Sequence, residues 1–194
     1  MANLRAALGI LWLICIAVPA AADVQITTNY NYFPVTGKTA RQIYINILKH
    51  GPAIGDPTAM ASTSIKLSQS PTFVKTPQCN MQRFTAKLTF RIDLPRHVNL
   101  NTVSPEMRQT WTSFATRLKT HEEHHRSIWT ACAERLSKQA SQTPPGNCAA
   151  LKTAYSKFSK SFFSTCKAEN DAFDADDEAH MLTTPFIRRV AADK

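Results

Sequence analysis

Apolar and polar positions alternate from Asp23 to Val35, through Val24-Gln25-Ile26-Thr27 and Tyr30-Asn31-Tyr32-Phe33. This β-branched and aromatic run predicts a strand, which Gly37 ends. Ile43, Ile47 and Leu48 then recur at helical spacing over residues 39–49, with Thr39 as the cap and Gly51-Pro52 as the stop. Alternation returns at Ser62–Leu67 and at Met81–Ile92, where Phe84, Ala86, Leu88, Phe90 and Ile92 share one face. That pattern predicts an antiparallel meander with one buried side, closed by Leu94-Pro95-Arg96.

From Ser104 the period becomes helical, with Pro105 at the first helical position, Glu106 in the first turn and no further proline before Pro144. Trp111, Phe114, Leu118, Trp129, Cys132 and Leu136 fall on one stripe of that helix. Pro144-Pro145-Gly146 breaks the chain. A second helix is predicted from about Cys148 to about Asp176, its stripe formed by Leu151, Tyr155, Phe158 and Phe162. So short a break makes the two helices antiparallel neighbours. The sequence therefore predicts an α+β fold: a small antiparallel β-sheet with one short helix, packed on a C-terminal antiparallel pair of long helices. Residues 23–100 supply mainly strands and one helix, residues 104–180 the helical hairpin, and residues 23–194 one domain.

The first 22 residues stand outside that pattern and read as a secretory signal peptide. Arg5 is the positive n-region, Ala6 to Val18 the apolar core, and Pro19-Ala20-Ala21-Ala22 the small residues before a cleavage point. The apolar run is shorter than the roughly 20 residues of a membrane span, so no transmembrane anchor and a periplasmic or secreted location are expected. Of 194 residues, 23 are Lys or Arg and 14 are Asp or Glu, a net +9. Loss of Arg5 with the leader leaves 22 against 14, or +8. Such a surplus suits an anionic envelope surface as a partner. Nucleic acid is not expected, since the basic residues are scattered and no recognition motif is present.

Cys15 lies in the leader, and Cys79, Cys132, Cys148 and Cys166 remain, an even number in an exported chain, which predicts two disulfides. Cys148 and Cys166 on one helix would stand about 27 Å apart, beyond bridging. Cys132 is then bonded to Cys148 or to Cys166, and Cys79 takes the other.

The chemistry sits in His121-Glu122-Glu123-His124-His125. Residues i and i+4 of a helix share a face, so the imidazoles of His121 and His125 can converge on one Zn2+, with Glu122 beside them as general base. Both histidines continue the apolar stripe, which aims them into the protein, where imidazoles need partners. His124 lies off that face and reads as a surface residue. A longer motif with a downstream Gly and third His is excluded by Arg126-Ser127-Ile128-Trp129-Thr130-Ala131. The third ligand is expected from the second helix. Glu169, Asp176 and His180 lie on the side of its stripe, Asp174 points away unless the helix has ended before it, and any of these or Asp177 is a candidate.

Four stretches in this order resemble a bacterial family of predicted secreted zinc-dependent proteases, catalogued as a domain of unknown function. They are Tyr32-Phe33-Pro34-Val35-Thr36-Gly37-Lys38-Thr39 with Lys49-His50-Gly51-Pro52; Cys79 ahead of Leu94-Pro95; Trp111 before the His121–His125 motif; and Phe173-Asp174. The resemblance implies an exported zinc hydrolase with His121 and His125 as ligands and Glu122 as catalytic base. The family's terminal motif of an aromatic residue, Asp and a later His matches Phe173, Asp174 and His180, which makes His180 the third ligand that it implies. The expected function is a zinc metallopeptidase acting on a peptide or cell-wall peptide. The alternative is a non-catalytic envelope protein of the same fold that binds an anionic cell-surface partner.

Overall fold

The computed structural model describes residues 21–53 and 59–193. The signal peptide expected over residues 1–22 lies outside the described residues, save for its last two, which open the first strand. Three strands and four helices follow: β1 (Ala21–Val35), α1 (Ala40–His50), β2 (Ser62–Lys75), β3 (Cys79–His97), α2 (Pro105–Ser141), α3 (Cys148–Leu182) and α4 (Pro185–Ala192). The mixed α+β architecture with two long C-terminal helices is the one expected.

The sheet differs from expectation in one pairing. Its order is β1-β3-β2, and β2 and β3 form the antiparallel hairpin, but β1 runs parallel to β3 and makes the sheet mixed. A parallel neighbour needs a crossover connection, and α1 lies in the chain between β1 and the hairpin. The strands also outrun their predicted ends, because Leu94-Pro95-Arg96 continues β3 instead of closing it. Pairing with β2 reaches only as far as Asp93, so Pro95 sits where β3 has a single neighbour, a position that tolerates a missing N–H.

The predicted alternation is realised in β3, where Phe84, Ala86, Leu88, Phe90 and Ile92 are all fully buried. Two apolar clusters result. In the first, Phe33 and Val35 of β1 meet Ile43 and Ile47 of α1, Trp111, Phe114 and Leu118 of α2, and Phe186 of α4. Phe114 and Phe186 stack at 4.2 Å between ring centroids. The second cluster sets β3 against Ala133, Leu136 and Ala140 of α2, with Tyr155, Phe158 and Phe162 of α3 along its margin. Helix α4, which sequence patterning missed, carries Pro at its start and buries only Phe186 fully, too short a stripe to stand out.

Two disulfides, Cys79–Cys148 and Cys132–Cys166, resolve the alternative left open by spacing. The first fastens the start of α3 to the start of β3, where Cys79 and Gly146 also exchange backbone hydrogen bonds of 3.0 and 2.8 Å. The second joins α2 to α3 near the histidine motif. Among the described residues no helix is long and apolar enough to cross a membrane.

Candidate metal centre

Helix α2 begins as its sequence dictates. Ser104 caps it by accepting from the Met107 N–H, and Pro105 fills the first turn, where its missing N–H costs nothing. Its apolar stripe is buried at Trp111, Phe114 and Leu118, and again at Cys132 and Leu136. His121 and His125 occupy the stretch between these two runs, where α3 lies alongside, and their side chains are 17% and 13% exposed.

The two rings stand edge to face, 4.8 Å between centroids, with their Nε2 atoms 3.1 Å apart. Asp174 of α3 brings Oδ1 to 3.2 Å from the Nε2 of His121 and 2.9 Å from that of His125. Behind each ring a second group sets the tautomer. His121 Nδ1 donates to Asp177 Oδ2 at 2.8 Å, and the other Asp177 oxygen accepts from the Arg117 guanidinium. His125 Nδ1 donates to Asn170 Oδ1 at 2.9 Å, while Asn170 Nδ2 donates to the Cys166 carbonyl at 2.9 Å, which fixes the amide orientation. With both Nδ1 atoms donating outward, each ring turns its Nε2 toward the other ring and toward a carboxylate oxygen.

Three atoms that can each bind a cation therefore converge. The three donor atoms lie within 4.8 Å of one another. Two ligands about 2.0–2.1 Å from a tetrahedral zinc stand about 3.3 Å apart, close to the separations found here. Imidazole, imidazole and carboxylate form a ligand set that suits zinc and leaves a fourth position open.

Glu122 is buried, 5% exposed. Burial, foremost, pushes its carboxyl above the ordinary value, while the Thr63 hydroxyl and the two imidazoles pull the other way. Thr63 of β2 donates to the Glu122 carbonyl at 2.9 Å, tying this turn of α2 to the sheet. Glu123 faces β1 and accepts from the Tyr30 hydroxyl at 2.7 Å; that bond, foremost, holds its carboxyl below the usual range. His124 is exposed and stacks on Phe173 at 4.1 Å, so it stays off the cluster as expected.

The remaining third-ligand candidates are placed elsewhere. His180 is exposed on the last turns of α3, six residues and about 9 Å along the axis beyond Asp174, and lies outside the three-donor group. Asp174, which the helix wheel turns away from the stripe, takes the place in the cluster expected of His180. Glu169 pairs with Arg135 at 2.7 Å, and Asp176 is exposed. Asp177 lies behind His121, one layer out from the cluster. Sequence reading did not single out Asn170 or Arg117. The signal for Asn170 was a polar residue sharing a helix face with Cys166 and Met181.

Fold and site together define an α+β domain whose two long helices carry a His-His-carboxylate constellation. Residues 30–181 match the family model of a bacterial protein of unknown function, DUF922, and the chain belongs to that family. No curated protein and no solved structure matches it.

Proposed function

We propose that this protein is an exported zinc-dependent hydrolase of peptide or amide bonds, acting on a peptide or cell-wall peptide. The observation that carries the reading is the convergence of three acceptors, His121 Nε2, His125 Nε2 and Asp174 Oδ1, whose tautomers are fixed from behind by Asp177 and Asn170. His121, His125 and Asp174 would hold a zinc ion there, which would supply Lewis acidity and lower the pKa of water. Glu122, one residue from His121 and raised in pKa by burial, is the group to take a proton from the attacking water and return it to the leaving amine. Asp177 and Asn170 accept from the two Nδ1 atoms and so hold the rings with Nε2 turned toward the cluster. Two disulfides support export to an oxidising compartment, periplasmic or extracellular.

Purified protein is expected to hold about one zinc per chain and to cleave members of a peptide and cell-wall-peptide panel. Glu122→Gln should keep the metal and lose cleavage by at least about a hundredfold, the range of general acid–base catalysis. A wild-type protein that takes up no zinc after reconstitution near neutral pH overturns the reading.

A second reading, a non-catalytic envelope protein, draws on the first half of α3. Between Cys148 and Ala168 that helix carries Lys152, Lys157, Lys160 and Lys167 and no acidic residue, a face suited to an anionic partner. Under that reading Glu122→Gln changes no measurable property.

A further inference from the structure

We propose that metal binding at this site is conditional on the Cys132–Cys166 disulfide, which acts on His125 through Asn170. The inference rests on the metal-centre reading above. Helix α2 alone offers two donors. The third, Asp174, and both groups that orient the rings, Asn170 and Asp177, belong to α3, so the site exists only while the two helices are held in one register.

The disulfide is the covalent tie at that level. Cys132 follows His125 by two turns on α2, and Cys166 precedes Asn170 by about one turn on α3. From the sulfurs the connection is continuous: the Cys166 carbonyl accepts from Asn170 Nδ2 at 2.9 Å, and Asn170 Oδ1 accepts from His125 Nδ1 at 2.9 Å. Cys79–Cys148 holds the far end of α3, about 39 Å along the helix from Asp174, and does not set this register. When only a fraction of molecules keeps α3 in place, the apparent dissociation constant rises by the inverse of that fraction.

Formation of the tie is an oxidation. The two thiols give up two protons and two electrons to a disulfide oxidant, which leaves as two thiols, and the S–S bond forms. Once made, the bond is enclosed: Cys132 and Cys166 are 1% and 0% exposed, and the Arg135 guanidinium, paired with Glu169, lies 3.0 Å from the Cys132 sulfur. The device is therefore a licence granted during oxidative folding. A chain that has not met an oxidising compartment keeps His121 and His125 and lacks the assembled site.

The test is a zinc competition titration against a chromophoric chelator, with far-UV circular dichroism to confirm folding. It compares wild type, Cys132→Ala/Cys166→Ala, Cys79→Ala/Cys148→Ala, Asn170→Ala and Asn170→Asp. The disulfides close sequence separations of 34 and 69 residues, so loss of Cys79–Cys148 costs at least as much stability as loss of the other, and a merely structural effect weakens zinc binding in both. The expected result is specific. Zinc affinity falls at least about tenfold in Cys132→Ala/Cys166→Ala and in Asn170→Ala, within the range for groups that orient metal ligands. It changes less than about twofold in Cys79→Ala/Cys148→Ala, and Asn170→Asp, which keeps an oxygen facing His125, recovers it. Wild-type affinity in Cys132→Ala/Cys166→Ala overturns the inference; should that variant fail to fold, wild-type affinity in Asn170→Ala overturns it instead. Absence of zinc binding in the wild type sinks the metal-centre reading itself.

Discussion

Replacing Asp177 by Asn tests the layer behind the metal ligands with almost no change of volume. The Asp177 side chain is 9% exposed and serves two donors with separate oxygens, His121 Nδ1 at 2.8 Å and the Arg117 guanidinium, whose side chain is 34% exposed. An amide has one acceptor oxygen to share between them and turns an NH2 group toward the other. The variant thus leaves one donor facing a donor, a loss of roughly 1–3 kcal/mol, with the lower half expected because Arg117 is partly solvated. For a domain of roughly 170 residues, about 1–2 kcal/mol corresponds to a fall in Tm of about 2–8 °C at pH 7. Burial pushes the Asp177 carboxyl up, but the His121 hydrogen bond and the Arg117 charge outweigh it and hold it below its ordinary value. A carboxyl with a depressed folded-state pKa contributes stability that is fully present above the unfolded value, about 3.9, and is lost as pH falls through the folded one. The gap in Tm between wild type and Asp177→Asn should therefore be constant from pH 7 to pH 5 and close below about pH 4. Calorimetric melts of the metal-free proteins measure it, and zinc titrations should show affinity about 10–100-fold weaker in the variant. Equal melting points at pH 7, or a gap that persists undiminished at pH 3, would refute the reasoning.

Two further substitutions separate ligand from bystander and fold from site. Asp174→Ala removes the α3 donor from the cluster and should weaken zinc binding by at least about tenfold, whereas His180→Ala, on an exposed position outside it, should leave the titration curve unchanged; the opposite ranking would return the third ligand to His180. Gly37→Ala should destabilise the protein by more than about 1 kcal/mol in urea unfolding, because Gly37 has φ of 141° and an added Cβ would lie 2.7 Å from the Ile43 nitrogen and 2.9 Å from the Gln42 Cβ. A variant within experimental error of wild type would show that the turn ahead of α1 relaxes freely.

The long helices, the buried face of β3 and the pair His121 and His125 were legible because each is a local periodic pattern. The third donor was not, and α3 shows why. Its first half buries Leu151 and directs Tyr155, Phe158 and Phe162 toward the sheet, while its second half buries Cys166, Asn170, Asp177 and Met181. At 100° per residue the second set is rotated by roughly 80° from the first, so a wheel centred on the N-terminal stripe places Asp174 about 130° off axis. Measured against its own half of the helix, Asp174 borders the buried face. The change of partner along α3, from sheet to α2, is tertiary information that no single periodicity contains. The parallel pairing of β1 is of the same kind, since alternation gives a strand's faces and leaves its direction to the connection through α1.

Charge along α3 gives an independent physical reason for a cation at this point. From Glu169 to Glu178 the helix carries six of the chain's 14 acidic residues and no Lys or Arg. They lie toward its C-terminal end, where the carbonyl dipoles already point negative charge. A stretch so arranged is self-repelling unless positive charge is brought to it. Arg135 meets Glu169, Lys167 meets Asp171, and Arg117 meets Asp177, each supplied from outside the acidic run. Asp174 is met by two imidazoles whose Nδ1 protons already point away, toward Asp177 and Asn170. Among the described residues Asp174, Asp176 and Glu178 have no Arg or Lys partner, and of these three Asp174 is the one grouped with two imidazole nitrogens. A divalent ion there would engage all three groups at once, and it would be held by the folded arrangement of α2 and α3 and by neither helix alone. Its binding free energy would for that reason also be stability of the hairpin.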